Sequence, residues 1–137
     1  MEAGANTYAG YGAETPSSRP NAHELKYQKG DWLYIDSYFG GPNFCGEEII
    51  YKKQVPLWSM NYCGRVLKDD FSGDFLKEAL RHASLEHPYR GPDIYKSGEY
   101  IYKSTVSGTP EWFQGFEEIF FYEQKCYECF LHGGVIR

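Results

Sequence analysis

The chain has 137 residues, a formal net charge of −5 and an isoelectric point near 5.3; this is single-domain size, and it excludes the basic face that a direct nucleic-acid binder needs. The longest apolar runs, such as Ile119-Phe120-Phe121-Tyr122, are far too short to cross a bilayer, and Met1-Glu2-Ala3-Gly4-Ala5 is no signal peptide, so a cytoplasmic protein without membrane contact is expected. Aromatic residues make up 18% and are led by 13 tyrosines, which implies either an edge-rich β-sheet with wired hydroxyls or an aromatic-lined cleft.

Residues 1–26 carry loop chemistry, centred on Thr15-Pro16-Ser17-Ser18-Arg19-Pro20. Strands are predicted over Asp31–Phe39, Phe44–Lys52 and Leu57–Leu67, with a turn at Gly40-Gly41-Pro42-Asn43 and a break near Pro56. The spacing of Phe75, Leu76, Ala79, Leu80 and Ala83 predicts one main helix over about 73–84, capped by Ser72 or Asp74. His87-Pro88-Tyr89-Arg90-Gly91-Pro92 then forms a loop. Three more strands follow, over Glu99–Val106, Trp112–Tyr122 and Cys126–Ile136.

Residues 27–42 lie over residues 95–110 without a gap, with identities at Tyr27/Tyr95, Gly30/Gly98, Tyr34/Tyr102, Gly40/Gly108 and Pro42/Pro110. The register continues through Phe44/Phe113, Gly46/Gly115, Glu47-Glu48/Glu117-Glu118, Gly64/Gly133 and Val66/Val135. The expectation is one domain over 1–137 built from two repeats, about 19–67 and 90–136, with the first unit's own helix before residue 6. Each repeat is a three-stranded antiparallel meander. The predicted fold is therefore α+β, a six-stranded sheet or barrel with the helix between the meanders.

Adjacent strand residues face opposite ways, so Glu47/Glu48 and Glu117/Glu118 each send one carboxylate inward. Arg19 and Arg90 occupy matched loops and are the candidate partners, either as structural bridges or as part of a shared cleft. A guanidinium fork suits a small anionic ligand, and Trp58, Trp112 and nearby tyrosines would wall the site. Asn61 is unusual in mid-strand, and His132 is the one group of its region that titrates near neutrality. Cys126-Tyr127-Glu128-Cys129 has CxxC spacing, but on a strand those thiols face apart; four free cysteines and no metal are expected. No cofactor motif is present.

Ser17-Ser18-Arg19-Pro20, DxYxGGxxFxGEE from Asp36, WSMNYxGR from Trp58, GDFLKEAL, PYRGP, WFQGFEEIF and YECFLHGG together resemble a bacterial family of unknown function. The resemblance runs from about Thr7 to Ile136. Members of that family occur alone or C-terminal to a Cro/repressor-type helix-turn-helix domain, which implies association with transcriptional regulation. No activity comes with the resemblance. The main reading is a small-molecule or anion-binding sensor module. The alternatives are a protein-interaction or homodimerisation module without a ligand, and a small hydrolase using a Glu and His132, so enzyme status stays open.

Overall fold

Among the described residues, nine strands and one helix follow one another: β1 (Glu14–Thr15), β2 (His23–Lys29), β3 (Trp32–Gly40), β4 (Asn43–Lys52), β5 (Val55–Val66), α1 (Gly73–Leu80), β6 (Ile94–Ser97), β7 (Tyr100–Thr109), β8 (Trp112–Phe121) and β9 (Gln124–Val135). A computed structural model describes residues 14–82 and 91–137. The strands form one antiparallel sheet in the order β1-β2-β3-β4-β5-β9-β8-β7-β6.

This corrects the α+β expectation. The architecture is nearly all antiparallel sheet, with nine strands where six were expected and a helix of eight residues. The strand order is linear, with β1 and β6 at opposite ends, so the sheet is open and no barrel closes. The extra strands escaped sequence reading because they lack a hydrophobic pattern. In β2 only Leu25 is buried, and in β6 no residue is. Their pairing is set by two-residue turns, each opening on a glycine at φ 60°, Gly30 and Gly98. The helix starts on Ser72, whose hydroxyl accepts from Phe75 N–H at 3.1 Å, and ends at Leu80. The expected position Ala83 lies outside the described residues.

One face of the sheet holds the core. Tyr34, Met60, Tyr62, Tyr102, Phe113, Ile119, Tyr127 and Leu131 are buried there, and α1 covers part of it with Phe75, Leu76, Ala79 and Leu80. Phe75 stacks on Tyr100 at 5.0 Å. Two carboxylates are sealed into this face. Asp36 accepts from the Tyr62 hydroxyl at 2.6 Å, and Glu117 accepts from Tyr127 at 2.9 Å and from Tyr102.

The two sides of the β5–β9 seam match in detail. Strands β4 and β8 are 10 residues each, and β5 and β9 are 12. Both hairpins shift register one step before the turn, at Ile50/Tyr51 and at Ile119/Phe120. The turns Lys53-Gln54 and Tyr122-Glu123 have φ of 50° and 67°, and of 49° and 67°. Leu67 N–H donates to the Cys126 carbonyl and Ile136 N–H to that of Leu57, both at 2.8 Å. Phe44 stacks on Tyr127 and Trp58 on Phe113.

Candidate functional site

The face away from α1 is organised in transverse rows, because residues opposite each other in an antiparallel register point to one side. One row carries charge: Arg65, Glu128, Glu118 and Lys103. Glu128 accepts from Arg65 at 2.7 Å, and Lys125 spans Glu118 at 3.0 Å and Glu128 at 3.2 Å. The guanidinium, with Lys125 beside it, holds Glu128 below the usual carboxylate range, and the hydrogen bond to Glu118 raises Lys125. The next row runs Cys45, Cys63, Phe130, Phe116 and Thr105, and the one after it Ser37, Glu47, Asn61, His132, Gln114 and Ser107.

These last two rows bound a groove of about 510 Å³ across the second half of the sheet. Its polar lining is Asn61, Thr105, Ser107, Gln114 and His132, and its apolar wall is Phe116 and Phe130, whose rings lie 6.0 Å apart. The hydrogen-bond phase of the ladder fixes how close the polar groups come. Val135 N–H donates to the Glu111 carbonyl, so every second pair from 111/135 is hydrogen-bonded. Gln114/His132 is thus a non-hydrogen-bonded pair, with Cα atoms about 4.5 Å apart. The same reasoning from Ile136 and Leu57 makes Asn61/His132 a hydrogen-bonded pair, at about 5.5 Å. Gln114 also donates to the Ser107 hydroxyl at 2.5 Å, which fixes its amide and leaves its carbonyl oxygen pointing elsewhere. The site therefore offers two amides, an imidazole and two hydroxyls beside an apolar wall of two tilted rings.

Of the residues singled out in the sequence, Asn61 and His132 meet in this groove. Glu47 shares their row, but β5 lies between it and His132, two strand spacings or about 10 Å. An acid–base pair between them has no direct hydrogen bond to work through. Glu118 is engaged with Lys125, Glu117 is buried on the other face, and Glu48 lies opposite Asp36 and Met60 on that same face. Trp58 donates to the Pro110 carbonyl at 2.9 Å, while Trp112 is 78% exposed on the open face. The Arg19 guanidinium sits 5.3 Å over the Phe39 ring, in the first half of the sheet. Arg90 lies outside the described residues, although the adjacent Gly91 packs so closely on Tyr102 that a Cβ there would meet its hydroxyl at 2.6 Å.

Sequence reasoning missed Gln114, Thr105, Ser107, Phe116 and Phe130 as lining residues. The signal lay in the alternation of Trp112–Phe121, which predicts Gln114 and Phe116 on one side; only the strand register shows that His132 stands opposite. All four cysteines are free thiols, with Cys45 and Cys63 exposed and Cys126 and Cys129 buried. Among the described residues, no group of three metal-ligating side chains is assembled.

A sequence family described as a domain of unknown function (DUF5680) matches residues 36–136, about three quarters of the chain. No curated protein and no solved structure matches.

Proposed function

The chain belongs to the DUF5680 family, a domain of unknown function, and from that premise we propose that it is a small-molecule-binding module whose site is the open-face groove around Asn61, Gln114 and His132. The observation that carries this reading is the convergence of two amides and an imidazole from three adjacent strands next to the Phe116–Phe130 wall. Among the described residues, no Lys, Arg, Asp or Glu lines the groove. An uncharged ligand with hydrogen-bonding edges and one flat apolar side fits that lining. The anionic ligand expected from the arginines depends instead on Arg90 and Arg19. In a chain fused to a helix-turn-helix domain, such a site would act as a sensor.

The matched turns, shifted registers and cross-seam hydrogen bonds support descent of the two halves from one duplicated β-unit. On that reading, the groove is a specialisation of the second copy.

Titration of the isotope-labelled chain with a panel of nucleosides and glycosides, followed by NMR, tests the site. The expected result is saturable shifts at Asn61, Thr105, Gln114 and His132, abolished in Gln114→Ala/His132→Ala while the remaining spectrum is kept. Binding that shifts only residues of the opposite face overturns it. A second reading, self-association through the open face, is favoured by Trp112 and by Phe130, which is 56% exposed on the same side. It predicts a dimer in sedimentation that Phe130→Ser dissociates.

A further inference from the structure

We propose that Cys45 and Cys63 are a redox-active dithiol that closes into a cross-strand disulfide when the chain meets a low-molecular-weight disulfide. The two cysteines are register partners on β4 and β5. Val66 N–H donates to the Pro42 carbonyl at 2.7 Å, which makes 42/66 a hydrogen-bonded position of this ladder. The phase alternates at each step, so 45/63 is a non-hydrogen-bonded pair. Such pairs bring their Cα atoms to about 4.5 Å and lean their side chains together. Disulfides bridge Cα separations of about 4.4–6.8 Å, so closure needs side-chain rotation but no strand movement. Both thiols are exposed on the same face, so oxidants and reductants reach them from solvent.

The other two cysteines are a built-in contrast. Cys126 and Cys129 are both buried in the core; the register shift at Ile119/Phe120 leaves Cys126 as an extra residue of β9, so the expected facing apart of the two thiols does not hold. Burial, with Asp70 nearby, pushes the Cys126 thiol up to about 11, which starves it of the reactive thiolate. Cys45 and Cys63 instead face each other from neighbouring strands and are open to solvent.

The chemistry balances as an exchange. The thiolate of one cysteine attacks a sulfur of the reagent disulfide and releases one reagent thiolate. The second cysteine's thiolate then displaces the other reagent thiolate from that mixed disulfide. One protein S–S bond forms, one reagent S–S bond breaks, two electrons pass from the cysteine sulfurs to the reagent, and the two protons leave with the two reagent thiols. Cys63 also lines both the groove and the neighbouring cleft of Arg65 and Glu128, so the bridge would rigidify a wall common to the two.

The test incubates the 137-residue chain in glutathione buffers of rising oxidised-to-reduced ratio, then quenches, alkylates in denaturant so that the buried thiols also react, and measures intact and peptide masses. The expected result is loss of two of the four alkylatable thiols, a mass lower by two hydrogens, and a peptide joining Cys45 to Cys63 that dithiothreitol separates. Cys45→Ser should instead carry one glutathione on Cys63, and Cys126→Ser should behave as the parent chain. Far-UV circular dichroism confirms that each variant is folded. Four alkylatable thiols at every ratio, two separate glutathione adducts on the parent chain, a bridge to Cys126 or Cys129, or a bridge between two chains would each overturn the proposal. The parent chain alone decides the matter, so the outcome does not depend on any variant folding, and it is independent of whether the groove binds a ligand.

Discussion

The β4–β5 hairpin and the β8–β9 hairpin have the same strand lengths, the same place of register shift and the same left-handed turn, yet they present different chemistry at the same spot. Where the first places Cys45 opposite Cys63, the second places Gln114 opposite His132. The backbone is held by features that do not touch this spot: the turn geometry, and glycines such as Gly40 and Gly108, at φ 92° and 96°, where an added Cβ would meet a carbonyl oxygen at 2.2 Å. A pair of side chains at a non-hydrogen-bonded, open-face position can therefore be exchanged without disturbing the ladder. Shape is kept by the turns, and chemistry is free to differ between the halves.

The sharpest way to break this comparison is through the buried acids, one per half. Removing Glu117 takes away an acceptor shared by the Tyr102 and Tyr127 hydroxyls, and removing Asp36 takes away an acceptor of the Tyr62 hydroxyl. Glu117→Ala and Asp36→Ala should each lower the unfolding free energy by about 2–4 kcal/mol in urea titration, from an emptied site plus lost buried hydrogen bonds. If only one of the two is costly, the halves do not share a polar core device.

A smaller effect sharpens the comparison at the turns. Gln54 and Glu123 each occupy left-handed backbone at φ 67° without being glycine. Gln54→Gly and Glu123→Gly should each stabilise the chain by about 1 kcal/mol, read as a higher denaturant midpoint with unchanged slope. Unequal gains would mean that tertiary contacts, rather than the turns themselves, hold the two hairpins in shape.

The smallest effect belongs to the seam, where Arg65 of the first half meets Glu128 of the second. Glu128 is held below its ordinary value by Arg65 and then Lys125, so its folded pKa is lower than its unfolded one. Its contribution is fully present above the unfolded carboxylate range and is lost as pH falls through the folded pKa. Arg65 is well exposed, so the contribution should stay below about 1 kcal/mol. Glu128→Gln should be less stable than the parent at neutral pH, and the gap should close in acid. A gap that persists in acid would assign the loss to packing instead.

The sequence was informative wherever a strand carried its own hydrophobic signature. The runs from Asp31, Phe44, Leu57, Trp112 and Cys126 all read as strands because aromatic and β-branched residues alternate in them. Strands β2 and β6 were invisible because pairing with a neighbour, and not burial, makes them strands. Asn61 and His132 were legible as oddities of residue type. Their adjacency was not, since it depends on the β5–β9 register across some seventy residues of chain. That one of Glu117 and Glu118 turns inward followed from alternation, but which one did not, and the partners of Glu117 are tyrosine hydroxyls, which no spacing rule distinguishes from the other tyrosines. The helix was over-extended because apolar periodicity continues to Ala83, beyond the Leu80 end of α1.

One feature of the strand order bears on how the chain reaches this state. Every strand contact is between neighbours in sequence except β5 with β9. Hairpins close quickly, on the order of microseconds, because little chain entropy is lost in joining near residues. The β5–β9 seam instead joins Trp58 to Val135 and Val66 to Tyr127, and the loop it closes must be ordered before any of its contacts repay the loss. Folding should therefore run as two fast local meanders followed by one slow docking step. Substitutions at the seam, such as Met60→Ala, should act on the folding rate, while those in the outer hairpins act mainly on unfolding.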